Sequence, residues 1–300
     1  MKTLITIVGP TAIGKTALAI EVAQALHTVI ISADSRQFYR EMNIGTAKPS
    51  QDELAAVPHF FVNNLSIQED FSAGDFEKQA LDKIRKLFND HNVVIMVGGS
   101  GLFINAVCQG LDDLPKPLPG IRDQLNNLHK EKGLSYLQEE LKIKDPDYYA
   151  EVDINNPQRV IRALEVYEST GKPFSYFRKD KPLDRPFRIL KIGLNTDREV
   201  LYNRINYRVD EMMKAGLVKE VQTLLPYRYY APLLTVGYVE LFDYLDGKTT
   251  LAEAIEKIKQ HTRQYAKRQI TWFKKDTSTT WFEPTQSADI IQFIKQEIVS

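Results

Sequence analysis

Apolar residues along the chain fall into short unbroken runs, separated by stretches where they recur every three or four positions. Leu4-Ile5-Thr6-Ile7-Val8 is rich in β-branched residues and stops at Gly9-Pro10, which predicts a buried strand over residues 4–8. Residues 15–26 carry Leu18, Val22 and Leu26 at four-residue intervals, the spacing of a helix. Val29-Ile30-Ile31 reads as a second short strand, and a helical stretch follows near 74–89. Val93-Val94-Ile95-Met96-Val97 reads as a third buried strand, ended by Gly98-Gly99. Strands that are apolar throughout, interleaved with helices, predict an α/β fold with a doubly wound, mostly parallel sheet.

The texture changes after about residue 112, where Pro115, Pro117, Pro119 and Gly120 mark a connection. From 121 to about 180 the pattern is helical with no strand-like run. Arg188-Ile189-Leu190-Lys191-Ile192-Gly193-Leu194 looks like a return to the sheet, and the chain is helical again to about 273. The expected organisation is a core over 1–112 and 186–300, interrupted by a helical insertion over 113–185.

Composition narrows the class of protein. A chain of 300 residues with 43% hydrophobic content can bury a sizeable core. Thirty-nine Lys and Arg balance 39 Asp and Glu, so overall charge predicts no polyanionic partner and any such surface must be local. The single cysteine, Cys108, excludes an internal disulfide, and no Cys/His spacing suggests zinc. The first apolar run is too short for a secretory signal, and none approaches the roughly 20 residues of a membrane helix. A cytoplasmic protein with no membrane partner is expected.

The strongest chemical signal is Gly9-Pro10-Thr11-Ala12-Ile13-Gly14-Lys15-Thr16, which fits G-x-x-x-x-G-K-[ST] between a strand and a helix. In that setting the backbone N–H groups curl around anionic oxygens and the helix N-terminus adds partial positive charge. Lys15 is a point charge for terminal phosphates, and Thr16 offers a hydroxyl to a Mg²⁺ held by them. P-loop NTPases usually carry a further acid on an apolar strand. The strand at 93–97 ends instead in Gly98-Gly99-Ser100-Gly101, which argues against a motor or switch and leaves kinases and other diphosphate-using transferases open.

Asp34 follows the second strand, at the sheet edge where open α/β sheets bind ligands. It suits a general base beside the phosphates, or equally a cap on a following helix. Ser35 and Gln37 are placed to hydrogen-bond a base edge. Ser100 sits in a second Gly-rich turn, which on its own reads as a plain tight turn; Lys48, in Gly45-Thr46-Ala47-Lys48-Pro49, suits a phosphate contact or a solvated loop.

Two basic regions stand out. Asn156-Pro157 should cap a helix carrying Arg159 and Arg162 on one face, with Glu165 placed to neutralise Arg162. Residues 257–275 hold Lys257, Lys259, Arg263, Lys267, Arg268, Lys274 and Lys275 with no acid, which suggests a polyanion surface over a merely solvated face. Ile258, Tyr265, Gln269 and Trp272 recur there at helical spacing and should form the packed face. Arg204 and Arg208 are spaced i, i+4 after the returning strand, where they could meet a donor's phosphates.

Taken together, GPTAIGKT (9–16), DSRQFY (34–39), GTAKP (45–49), GGSGLF (98–103), NPQRVIRALEVYESTGKP (156–173), RVDEMMKAGLVKEV (208–221), VGYVE (236–240) and YAKRQITWF (265–273) resemble the tRNA dimethylallyltransferase family, in the family's order and over nearly the whole chain. The resemblance implies a P-loop α/β core with a helical insertion. It implies transfer of a dimethylallyl group from dimethylallyl diphosphate to N6 of an adenosine beside the tRNA anticodon, with Mg²⁺ required. Carried over by position, residues 9–16 with Arg204 and Arg208 hold the donor diphosphate, Asp34, Lys15 and Thr16 are catalytic, and Thr16 ligates Mg²⁺. Asp34, Ser35, Arg36 and Gln37 receive the adenosine. Ser100, Arg122, Gln158, Arg159, Val160, Ile161, Arg162, Lys267 and Arg268 are the expected tRNA contacts, on the anticodon stem-loop. A monomer is expected.

Ile13 stands where the family often has Ser, Ser100 and Phe103 replace Thr and Tyr, and His59-Phe60 replaces a His pair, so His59 receives no role. No cysteine-rich zinc module follows, as in bacterial-type members. A P-loop small-molecule kinase, an adenosine-mononucleotide isopentenyltransferase and a non-catalytic RNA-binding protein are the competing readings.

Overall fold

The computed structural model describes residues 1–178 and 183–299. The chain separates into two compact units, Met1–Gln109 with Asp184–Ser300, and Gly110–Leu183. The breaks fall two or three residues before those set from sequence. In the first unit β1 (Thr3–Val8) leads to α1 (Lys15–Ala25), β2 (Ile30–Ser32), α2 (Gln51–Ala56), the two-residue β3 (His59–Phe60), α3 (Ala73–Asp90), β4 (Val93–Gly98) and α4 (Gly101–Gln109). The second unit holds α5 (Ile121–Lys144), α6 (Pro146–Glu151), α7 (Pro157–Thr170) and α8 (Phe174–Phe177). The first unit resumes with β5 (Arg188–Leu194), α9 (Arg198–Lys214), α10 (Leu217–Thr223), α11 (Tyr238–Leu245), α12 (Leu251–Phe273), β6 (Thr279–Phe282) and α13 (Ser287–Val299). The helical stretch expected to reach about 180 ends in residues 179 and 180, which lie outside the described residues.

One six-stranded sheet runs in the order β3-β2-β4-β1-β5-β6, and every neighbouring pair is parallel. This is the α/β fold expected from the apolar runs. Successive strand residues point to opposite faces, and here both faces are dry. Leu4, Val8, Val94 and Met96 join one core cluster, while Ile5, Ile7, Val93, Ile95 and Val97 join the other. Because the strands are parallel, the segments after β1, β2 and β4 leave from one edge of the sheet. The loop 9–14, the segment 33–37 and the turn 98–101 therefore converge.

The short edge strands β3 and β6 and helices α2 and α13 were not expected from sequence. β3 is partly exposed, and in β6 Thr279 is buried while Thr280 is exposed, so neither shows an unbroken apolar run. In the second unit, Asn156 caps α7 by accepting from the N–H groups of Gln158 and Arg159, as its position before Pro157 predicts. Leu125, Leu137, Leu141, Val160, Ile161 and Leu164 form that unit's own core.

Candidate active site

The chain turns sharply between β1 and α1. Gly9 has φ 149°, and a Cβ there would lie 2.7 Å from the Leu194 carbonyl oxygen at the end of β5, so only glycine fits. Gly14 is in the left-handed region at φ 106° and opens α1. Among the described residues, the N–H groups of Gly14, Lys15 and Thr16 have no protein acceptor, as at the start of any helix. They remain free for an anion. Ile13 is fully buried in the core. Its side chain thus takes no part in the loop's inner surface.

Lys15 Nζ donates to the Pro10 carbonyl at 2.7 Å, within the loop. Burial pushes its ammonium down from the usual 10.5 to about 7; Asp34 pulls it up and Arg208 pushes it further down. Arg208 donates to the Thr11 hydroxyl at 3.3 Å, and an Arg204 guanidinium nitrogen lies 3.4 Å from where a Gly14 Cβ would stand. Burial lowers the Arg208 pKa too, with Asp34 opposing. Three cations are thus crowded beside the loop, an arrangement that costs free energy until an anion arrives.

Asp34 lines the same cavity. It caps no helix: residues 35–38 form turns. Its Oδ1 accepts instead from the Arg36 N–H at 3.0 Å, an Asx-type turn, and among the described residues its other oxygen has no protein partner. Ser100 accepts from the Ser35 N–H at 3.0 Å and donates to the Ser35 hydroxyl at 3.1 Å, which ties the turn after β4 to the segment after β2. Gln37 is buried, and its amide donates to the Thr46 and Ala47 carbonyls while its Oε1 lies 3.2 Å from the Ser32 hydroxyl. A structural tether thus occupies the group expected to read a base edge.

These groups surround one cavity of about 570 Å³. Thr11, Lys15, Thr16, Asp34, Arg204 and Arg208 give it a polar end, and Ile205, Val209, Met212, Leu217, Val236 and Ile258 give it an apolar wall. Tyr265 also lines it; burial, with Asp34 adding to it, pushes that phenol up to about 12, so it stays protonated at neutral pH. Of the expected site residues Ala12, Gly14, Ser35, Arg36 and Gln37 line the cavity as well, whereas Gly9, Pro10, Ile13 and Ser100 do not. Thr16 supplies one hydroxyl, and no group of three or more His, Cys, Asp or Glu side chains placed to hold a metal ion exists among the described residues. A cation here suits binding chiefly by a ligand's phosphate oxygens, the usual manner of Mg²⁺.

Several expected contacts stand elsewhere. Val160 and Ile161 are 0% and 2% exposed in the second unit's core, so their side chains offer no RNA-binding surface, a correction to the sequence reading. Glu165, with its side chain 4% exposed, pairs with Arg162 at 2.9 Å, as expected, and also with Arg122 at 3.2 Å. Gln158 and Arg159 are exposed at the start of α7. Lys267 and Arg268 face a second, open groove on α12.

Two further residues organise the cavity and were not recognised from sequence. Gln269 was read as part of the packed face of α12. It accepts from the Thr11 N–H at 2.9 Å and donates to the Gly99 carbonyl at 2.9 Å, clamping the P-loop to the turn after β4. The signal was a polar residue at an apolar helical position. Glu220 accepts from the N–H groups of Asn43, Ile44 and Gly45 and from the Tyr238 hydroxyl at 2.7 Å, fixing the loop that holds Gln37. Lys48, read from sequence as a phosphate contact or part of a solvated loop, donates to the Tyr39 carbonyl and to the side chains of Asn43 and Asn63, and burial lowers it to about 8.

Comparison with known proteins bears on this geometry. The profile of the IPP transferase family matches residues 37–276. A tRNA dimethylallyltransferase from Christiangramia forsetii is 53% identical, covering 98% of this chain and 98% of its own. Another from Bacteroides thetaiotaomicron is 48% identical, covering 98% and 96%. Among solved structures, the full-length tRNA isopentenylpyrophosphate transferase of Bacillus halodurans is similar at a TM-score of 0.74 and 36% identity, over 99% of this chain and 97% of that one. A eukaryotic dimethylallyltransferase acting on tRNA is similar at a TM-score of 0.79 and 26% identity, over 96% of this chain and 75% of that one.

Proposed function

The chain belongs to the IPP transferase family, and from that premise we propose that it transfers the dimethylallyl group of dimethylallyl diphosphate to N6 of the adenosine beside a tRNA anticodon, releasing diphosphate. One observation carries the reading: the P-loop cations and the Asp34 carboxylate open onto the same cavity, to which Ile205, Val209, Met212, Leu217, Val236 and Ile258 add an apolar lining. A diphosphate suits the first, an adenine amine the second and an isoprenoid tail the third.

The exocyclic amine of adenine is a poor nucleophile because its lone pair is delocalised into the ring. Transfer breaks the allylic C–O bond, whose electron pair leaves with diphosphate, and forms a C–N bond from the N6 lone pair. The N6 proton passes to Asp34. Lys15, Arg204, Arg208 and the free N–H groups of the loop stabilise charge that grows on the leaving oxygen. Thr16 fits as the protein's ligand to Mg²⁺, which, when bound, offsets part of that charge. The adenosine must leave its stack, at a cost of a few kcal/mol. In the helical unit Arg122 and Arg162, oriented by Glu165, together with the exposed Gln158 and Arg159, suit backbone contacts that offset this cost.

The test is incubation with dimethylallyl diphosphate, Mg²⁺ and an unmodified anticodon stem-loop, followed by nucleoside mass analysis. N6-dimethylallyladenosine is the expected product. ATP consumption without RNA would point to a kinase, modification of free AMP to a mononucleotide transferase, and RNA binding without product to a non-catalytic role; any of these overturns the assignment.

A further inference from the structure

Between β2 and α2 the chain forms no regular element, so its backbone polar groups must find partners elsewhere. Three consecutive N–H groups there, those of Asn43, Ile44 and Gly45, donate to the Glu220 carboxylate at 3.1, 2.7 and 3.1 Å. The Tyr238 hydroxyl donates to the same carboxylate at 2.7 Å. Its ring is fully buried, and a Cβ on Gly45 would lie 2.6 Å from it, so the loop rests directly on the ring. Successive N–H groups aimed at one point make an anion cradle. Here a side chain of the protein fills it. Hydrogen bonds to a charged acceptor are the strong kind, and four on one carboxylate make a stiff joint.

Glu220 does not line the active-site cavity. Its reach into the site runs through other groups. The Thr46 and Ala47 carbonyls, next along the cradled loop, accept from the Gln37 amide at 3.3 and 3.2 Å. Gln37 Oε1 accepts from the Ser32 hydroxyl at 3.2 Å, and that hydroxyl oxygen accepts from the Asp34 N–H at 3.4 Å. The Gln37 N–H donates to the Asp34 carbonyl at 3.1 Å. Both backbone groups of Asp34 are therefore tied into the same network as the loop. On its other side Glu220 stands on α10, which the buried Leu217 and Val221 anchor, and α10 follows α9 after a left-handed turn at Gly216. Helix α9 carries Arg204 and Arg208 beside the P-loop. The carboxylate thus joins the element that grips the diphosphate to the segment that presents Asp34.

Resting on the function proposed above, we infer that Glu220 is a positioning residue for the transfer: by filling the cradle of residues 43–45 it holds the Asp34 carboxylate where an amine at the donor's allylic carbon can give up its proton. Neither donor nor RNA touches it. A reacting group displaced by about 1 Å loses up to about 100-fold in rate, so the effect belongs to the chemical step and not to the grip on diphosphate.

The experiment uses the full chain as wild type, Glu220→Ala, Glu220→Gln, Gln37→Leu and the Glu220→Ala/Gln37→Leu double variant. Three quantities are read: the single-turnover rate with dimethylallyl diphosphate, Mg²⁺ and an anticodon stem-loop, donor affinity, and hydrogen exchange of individual backbone amides. Glu220→Ala should slow transfer by about 10- to 100-fold with donor affinity within about twofold. Glu220→Gln keeps the shape of the side chain and an oxygen that can accept from Asn43 and Ile44, so it should be intermediate; it also serves if the alanine variant does not fold. The double variant should be no slower than the slower single one. In Glu220→Ala and, more weakly, in Glu220→Gln, exchange should accelerate by about tenfold or more at residues 43–45 and also at the Arg36 and Gln37 N–H groups, both bonded to Asp34, while the Thr11 N–H in the P-loop stays as protected as before. Wild-type rates in both Glu220 variants, donor affinity falling as much as the rate, losses that multiply in the double variant, or faster exchange confined to residues 43–45 would each overturn the inference. Hydrogen exchange needs no turnover: a wild-type protein that forms no prenylated RNA would sink the assigned reaction, and the tether from Glu220 to Asp34 would still be judged on the amides.

Discussion

Asp34 and Lys15 line the same cavity, and the proposed reaction gives each a separable prediction. Asp34→Asn keeps the size of the side chain and its Oδ1 contact with the Arg36 N–H but cannot take a proton. Single-turnover rates should fall about 10²–10⁴-fold while donor affinity is retained; near-normal rates would remove Asp34 from the chemistry. Lys15 sits at about 7 because it is buried among cations. A folded pKa below the unfolded one means that the unfolded chain binds more protons between about 7 and 10.5, so the ligand-free protein gains stability as pH rises through that window. The anionic donor raises the Lys15 pKa again. Donor affinity should therefore be level below about pH 7 and fall above it by up to tenfold per pH unit, with proton uptake on binding. Calorimetry in buffers of different ionisation heat measures that uptake directly. A pH-independent affinity across this range would show that Lys15 does not meet the diphosphate.

At the scale of elements, the clamp made by α12 matters more than its basic face suggests. Gln269→Leu keeps roughly the same volume and leaves the Thr11 N–H and Gly99 carbonyl without their partner. A stability loss of roughly 1–3 kcal/mol is expected by chemical denaturation, together with a weaker grip on donor. Unchanged donor affinity in a destabilised protein would confine Gln269 to a packing role. Much of the framework was legible: β1 and β4 are buried on both faces and so announce themselves as nearly continuous apolar runs, and β5 as an apolar run broken by Lys191. The P-loop carries its own spacing, whereas the strand order β3-β2-β4-β1-β5-β6 is known only from the structure. Asp34 could be placed at the sheet edge, yet its local geometry could not, since a strand-to-turn and a strand-to-helix junction favour the same residue. Gln269 and Glu220 were beyond reach for a different reason. Each acts through partners far along the chain, and no local period encodes a hydrogen bond across 170 or 258 residues. The edge strand β6 was missed because it is four residues long and opens on two threonines, one of them exposed.

For the whole molecule, zero net charge conceals a divided surface. If the cations on α12 and those at the start of α7 meet RNA phosphates, affinity should fall steeply with salt, with a log–log slope of about −2 to −4 for three to six contacts. A flat profile between low and physiological salt would mean that overall neutrality governs the encounter after all. The long-range bond at Gln269 bears on the protein's synthesis as well. Thr11 and Gln269 are 258 residues apart, so a ribosome must complete about nine-tenths of the 300-residue chain before they can meet. The nascent protein thus carries a finished P-loop sequence long before the side chain that braces it has been made.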